Sequence, residues 1–355
     1  MKHTLNEQLS RRELLQGLGA LAVMGSAATQ VRAADRPAGV LGGGSPATEI
    51  NSELVELAPN VYAWLQREAE GQSNLSVSNF GVVVGPESML AIDAGGGPEH
   101  ARNFLKATAF LNKPYDRVVI THEHPDHIVG LTQFPEGIEV IAQEETRERM
   151  VAMGQPATPA YWATNPAWAR PDDVNRVILP TVTFKDRMSV YYGDLRVDFV
   201  WPGRAHTSGD ALVYVPQEKI VFMGDIGFFE VTPLNGSGYI GDWIKVCDDL
   251  LADPNVDIIV PGHGPVGGKN ELQDMRDYLA LLYREGKRQF EAGVSAGRAA
   301  AELDLGKYAT WTDADRLPAN MARLYSEFNE EIGVAMDRAA VLRAVEEYNQ
   351  LKGLR

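Results

Sequence analysis

The chain has 355 residues, 45% of them hydrophobic, and a formal net charge of −15. That length and apolar share suffice for a sizeable core, while the acidic balance argues against nucleic-acid phosphates and anionic lipid as partners. A single cysteine excludes an internal disulfide. Cys247 lies at helical spacing among apolar residues of 243–251, which reads as a small core residue rather than a nucleophile.

In chain order, Ser10-Arg11-Arg12-Glu13-Leu14-Leu15 is a twin-arginine pattern. A short apolar stretch, 17–28, follows, then Val31-Arg32-Ala33, a small-residue cleavage pattern. Residues 1–33 are therefore expected to be a twin-arginine signal peptide that sends a folded protein to the periplasm or outside the cell. Its removal leaves 29 basic and 46 acidic residues, a formal charge of −17. No later apolar stretch is long enough for a membrane helix. Residues 34–52, with Gly42-Gly43-Gly44, read as a flexible mature N-terminus.

From residue 53 strand patterns begin. Val61-Tyr62-Ala63-Trp64-Leu65 and Phe80-Gly81-Val82-Val83-Val84 flank a polar loop, 67–78, and Met89-Leu90-Ala91-Ile92 ends at Asp93. A helix is predicted over 98–111, a strand at 118–120, another at 138–142 and a helix at 144–151. Shorter strands are predicted at 195–201, 211–215, 220–223 and 257–260, with an amphipathic helix at 242–252. Beyond about 270 the pattern is helical. Leu272, Met275, Leu279 and Leu282 define one helix ending near Gly293, and Ser295 is placed to cap a second. Thr312 or Asp313 is placed to cap a third, broken at Pro318. Alternating strands and helices predict one large α/β domain, 53–268, with a helical C-terminal extension, 269–355, that packs on it or offers a surface to a second copy.

The chemistry concentrates in loops. The strand at 118–120 runs into Thr121-His122-Glu123-His124-Pro125-Asp126-His127, four metal-capable side chains within six residues. Three more motifs follow apolar strands: Gly203-Arg204-Ala205-His206-Thr207-Ser208-Gly209-Asp210, Met223-Gly224-Asp225 and Pro261-Gly262-His263-Gly264. Two histidines at His-X-His spacing can face one ion, while the following Asp and His turn to another. Zn²⁺ favours this mixture of imidazole and carboxylate. Five of the chain's seven histidines sit in these strand-end loops, where α/β folds gather reactive groups.

This set resembles the metallo-β-lactamase superfamily across nearly all of 53–265. The resemblance implies an αββα four-layer sandwich with a two-metal site on the sheet edge. It implies that His122, His124 and His206 hold one zinc, that Asp126, His127 and His263 hold the other, and that Asp225 bridges them. Asp93 matches the aspartate that supports the ligand loop by hydrogen bonding. An aspartate at the bridging position is typical of the glyoxalase II-like branch of ester, thioester, lactone and phosphoester hydrolases, whereas true β-lactamases there carry cysteine or serine. The implied reaction is attack by a metal-activated hydroxide on a small ester, thioester, lactone or amide, with Asp126 orienting it.

Other residues are weighed beside these. His100 reads as a surface or supporting group rather than a ligand, and Thr207 and Ser208 as hydrogen-bonding within their own loop. Phe228, Phe229, Tyr239 and Trp243 are candidates for an aromatic wall contacting substrate, or equally for core packing. Tyr161, Trp162 and Trp168, in the Pro- and Ala-rich stretch 155–171, form a candidate lid or a packed insertion. Three rivals to the dizinc hydrolase stay open: β-lactamase activity, a mono-iron persulfide-type dioxygenase, and a non-catalytic periplasmic metal-binding or cofactor-assembly factor. Iron or manganese could replace zinc.

Overall fold

Alternation along the strands builds the architecture. In Phe80–Val84, Val83 turns one way and Val82 and Val84 the other; in Met89–Ile92, Leu90 and Ile92 oppose Met89 and Ala91. Both faces are apolar, so each strand must be covered on two sides. The computed structural model describes residues 50–67, 77–154, 167–332 and 337–354. The expected signal peptide, nearly all of the expected flexible N-terminus, most of the 67–78 loop, and Tyr161 and Trp162 lie outside the described residues.

Two sheets form. The first has seven strands in sequential order: β1 (Ser52–Ala58), β2 (Val61–Gln66), β3 (Phe80–Val84), β4 (Met89–Ile92), β5 (Tyr115–Val119), β6 (Glu139–Gln143) and β7 (Val182–Phe184). Its first four strands are antiparallel neighbours, and β4 to β7 run parallel. The second sheet follows the order β12 (Ile258–Val260), β11 (Ile220–Phe222), β10 (Leu212–Val215), β9 (Leu195–Val200), β8 (Arg187–Tyr192). There β11 and β12 are parallel and the remaining pairs antiparallel.

Three core clusters define four layers. Val83, Leu90, Ile92, Val119 and Ile141 of the first sheet meet Val197, Phe199, Val213, Phe222 and Val260 of the second. The other face of the first sheet packs on α1 (Pro98–Thr108), α2 (Pro125–Ile128) and α3 (Glu144–Met153) through Ala101, Phe104, Ile128 and Met150. The other face of the second sheet packs on α4 (Ile240–Ala252) and α5 (Lys269–Glu291) through Trp243, Val246, Leu272, Met275 and Leu279. The αββα expectation holds. Cys247 is fully buried in this last cluster, and burial raises its thiol pKa.

The C-terminal helices are α5, α6 (Ala296–Glu302), α7 (Leu317–Phe328) and α8 (Arg338–Lys352). Two local expectations need correction. Ser295 occupies the N-cap position of α6, but its hydroxyl donates to Glu347 Oε1 at 2.7 Å instead of capping. Pro318 does not break a helix. It stands in the first turn of α7, where its missing N–H has no intrahelical partner to lose. The true boundary falls before α8, whose N-terminus is capped by the Asp337 carboxylate accepting from the Ala339 and Ala340 amides. No helix among the described residues is long and apolar enough to cross a membrane.

Candidate metal centre

Strand direction decides where the loops meet. β4 and β5 are parallel, so Asp93 and the 121–127 loop leave one end of the first sheet. In the second sheet β9 runs antiparallel to β10, which runs antiparallel to β11, so the ends of β9, β11 and β12 coincide. His206, Asp225 and His263 follow those three ends. The chain then ties the two sheets together at this rim. Asn79, at the start of β3, donates from Nδ2 to Pro261 O (3.0 Å) and Gly264 O (2.7 Å), and its amide donates to Gly262 O. Ser78 Oγ donates to Asp126 O at 2.5 Å.

Two groups of side chains converge. Donor atoms of His122, His124, His206 and Asp225 lie within 4.8 Å of one another, and so do those of Asp126, His127, Asp225 and His263. All seven residues that the sequence singled out as ligands are therefore brought together, with Asp225 in both groups. Its Oδ2 is 3.3 Å from both His206 Nε2 and His263 Nε2, and its Oδ1 is 3.0 Å from His127 Nε2. Gly262 makes room for this carboxylate, since a Cβ there would stand 2.1 Å from Asp225 Oδ1.

Hydrogen bonds behind the ring fix which nitrogen faces inward. Asp93, in the left-handed region at φ 63°, accepts from the Thr121 amide (2.7 Å), Thr121 Oγ1 (2.8 Å) and His127 Nδ1 (2.8 Å). Thr121 Oγ1 in turn lies 3.1 Å from His122 Nδ1. One aspartate thus orients two imidazoles and leaves both Nε2 atoms pointing into the cluster. His124 is reversed. Its Nδ1 lies 2.8 Å from His206 Nε2, and its Nε2 faces outward to Ser237 Oγ at 3.4 Å.

The charge pattern suits a cation. Burial holds His122 well below the usual imidazole range and lowers His206 to about 3, so both rings are neutral. Burial also works against charge on His127 and His263, yet Asp225 and Asp126 outweigh it, raising His127 well above its usual value and His263 to about 9. Burial opposes ionisation of Asp126 and Asp225 too, but the imidazoles beside them hold both well below the carboxylate range. Two protonated imidazoles thus neutralise two buried carboxylates at the centre. His122 Nε2 is buried without a hydrogen bond, and His127 Nε2 and Asp225 Oδ1, though 3.0 Å apart, are not aligned for one. Buried atoms of this kind are ordinarily satisfied, and divalent cations would satisfy them.

The remaining candidates sort by burial. His100 is not at the surface. It is fully buried, with its Nε2 3.0 Å from the Gln66 amide nitrogen, its ring edge-on to Phe80, and burial lowers it to about 3. Thr207 bonds within its own loop, donating from both N and Oγ1 to Asp210. Ser208 instead accepts from Arg149 Nε at 2.8 Å. The aromatic wall is corrected: Phe228, Phe229 and Trp243 are at most 1% exposed. Phe228 stacks on His263, and Trp243 backs His206 while donating to Ile226 O. Phe228 and Trp243 back histidine rings, Phe229 is buried in the core, and of the four Tyr239 is the most exposed, at 8%. Trp168 is buried against Gly96 and Gly97, as a packed insertion would be. The sequence reading missed Ser78, Asn79, Ser237, Glu123 and Arg149. The buried Glu123 side chain lies 3.4 Å from Arg149 Nη1. None of these carries a spacing signal.

Two outcomes follow for metal binding. Asp93→Ala should weaken zinc affinity by about 10–100-fold, because His127 loses its acceptor and Thr121, which faces His122, loses the carboxylate that fixes it; competition with a chromogenic chelator reads this directly. The metal-free fold gains stability from protonated His263 below its unfolded value of 6.5 and loses that gain as pH rises through about 9. Loading must displace the protons, so zinc affinity should rise with pH across that window, with release of about two protons at neutral pH. Calorimetry in buffers of different ionisation enthalpy counts them.

The comparisons agree with this geometry. The family model described as the metallo-beta-lactamase superfamily matches residues 74–263. A linear primary-alkylsulfatase from a Pseudomonas species is 24% identical over 263 residues, 63% of this chain and 49% of that protein. The alpha subunit of a 2,4-dinitroanisole O-demethylase from a Nocardioides species is 23% identical over 258 residues, 71% of this chain and 66% of that one. This chain thus spans about half the length of the first relative and under two thirds of the second. Among solved structures, a metallo-beta-lactamase from Pontibacter korlensis matches with a TM-score of 0.51 and 23% identity, over 65% of this chain and 99% of that one. The family match covers more than half of the chain and includes all seven converging residues, so the chain belongs to the metallo-beta-lactamase superfamily.

Proposed function

We propose that the protein is a dizinc hydrolase that cleaves a small ester, thioester, lactone or amide. The observation that carries the reading is the sharing of Asp225 between both groups of donors. That carboxylate can serve two cations at once, and a single-ion site would have no use for His127 and His263. When bound, two divalent cations supply Lewis acidity to the scissile group and activate water.

The chain's own residues do the rest. His122 and His206 present neutral nitrogens, kept so by burial. Asp126 is the one carboxylate of the set with a face to solvent, at 22% exposure against 4% for Asp225. It stays ionised beside His127 and His263, so its free oxygen can accept a hydrogen bond from water entering the mouth and hold that proton. Around the cluster, His124, Asp126, Gly236 and Ser237 keep partial exposure. The relatives above are named for different reactions, so the likeness supports the site chemistry and leaves the substrate to assay. The place of action is proposed from the arginine pair and cleavage pattern alone: export by the twin-arginine route to the periplasm.

With zinc loaded, turnover is expected on at least one member of a panel of ester, thioester, lactone, amide, phosphoester, sulfate-ester and β-lactam substrates. One iron and no zinc in the purified protein, or a flat panel, contradicts the proposal. Asp126→Ala should lower turnover by about 10²–10⁴-fold with an unchanged circular dichroism spectrum. Replacing Arg11 and Arg12 by lysine should retain the protein in the cytoplasm, and unchanged periplasmic recovery would contradict export.

A further inference from the structure

One face of α7 carries a polar stripe. Arg316, Asn320, Arg323 and Glu327 are spaced four, three and four residues apart, which places them on one side of a helix. Arg316 stands just before the first turn, and the first three are at most 6% exposed. Each grips the main chain of 232–241. Arg316 Nη1 donates to Thr232 O at 2.8 Å, and Asn320 Nδ2 donates to Pro233 O at 2.7 Å. Asn320 Oδ1 accepts from the Asn235 amide at 3.0 Å, and Arg323 Nε donates to Gly238 O at 3.0 Å. The Glu327 carboxylate accepts from the Ile240 and Gly241 amides at 2.8 and 3.0 Å, capping α4. Six directed bonds therefore hold ten residues, the first eight of which, 232–239, have no strand or helix of their own. Burying two guanidiniums and an amide is costly, and these bonds offset that cost.

The gripped segment reaches the metal centre. Ser237 lies 3.4 Å from the outward nitrogen of His124. The Tyr239 amide donates to Ala205 O, beside His206. The Arg204 and Arg323 guanidiniums lie 4.5 and 5.6 Å from the Tyr239 ring, and its hydroxyl is 3.4 Å from Arg149 Nη2. We infer that the C-terminal helices are a positioning element of the metal centre: α7 fixes the 232–241 segment, and the segment sets the orientation of His124 through Ser237. Asn320 and Arg323 are the positioning residues. The inference rests on the metal-centre reading, and it gives the helical region a task beyond covering the second sheet.

The test is zinc affinity, read by chelator competition on the full chain, together with the visible spectrum of the cobalt-substituted protein. Asn320→Ala and Ser237→Ala should each weaken one of the two ions by about tenfold, leave the other unchanged and shift the cobalt bands. The double variant should lose little more than either single one, since both act on one path. Arg323→Lys should retain more affinity than Arg323→Ala. Met321→Ala, buried in the apolar core on the same helix, should lower the Tm with zinc affinity and cobalt bands unchanged. Unchanged zinc constants in Asn320→Ala, or an equal loss in Met321→Ala, overturns the inference alone. Failure of the unaltered chain to bind zinc overturns the metal-centre reading as well.

Discussion

The Asp225 carboxylate, held among four imidazoles, is the constraint on which the rest of the structure depends. A buried carboxylate is tolerated only when paired. Here the partners come from three loops, the first and last more than a hundred residues apart, and His122, His127, His206 and His263 all lie within 3.7 Å of it. The cluster cannot form until both sheets are in place. Without metal it balances two carboxylates with two protonated rings; with metal the same geometry offers lone pairs. The fold thus stores a site that fits cations and fits little else.

Around that cluster the structure spends its hydrogen bonds on orientation. Asp93 and Thr121 set two imidazoles from the first sheet. Asn79 clamps the His263 loop across the rim, and Phe228 stacks on that ring. Trp243 holds the far side of His206. The 232–241 segment meets His124 from outside through Ser237, and α7 holds that segment in place.

The ligand set was legible because metal chemistry restricts it to few residue types, and because strand-end loops announce themselves as apolar runs stopping at Gly, Asp or Pro. The layers were legible because strands with two apolar faces demand cover on both. Burial of the aromatics was not: Phe228 and Trp243 follow Asp225 closely in sequence, but nothing local says whether a ring faces the cleft or backs a ligand. Ser295 misled because a serine before a helix is a capping signal, and Glu347, fifty-two residues away, takes its hydroxyl. Pro318 misled because proline reads alike as breaker and first-turn residue. The stripe on α7 has the period of an ordinary amphipathic face, and its targets are main-chain atoms that leave no mark in a sequence.

The central claim is that two cations share Asp225 within this cluster. Anomalous diffraction from crystals of the zinc-loaded protein, collected on both sides of the zinc edge, tests it most directly. Two anomalous peaks are expected about 3.5–4 Å apart, one within reach of His122, His124 and His206 and the other of Asp126, His127 and His263, with Asp225 touching both. A single peak, or peaks at which Asp225 touches neither ion, would contradict it.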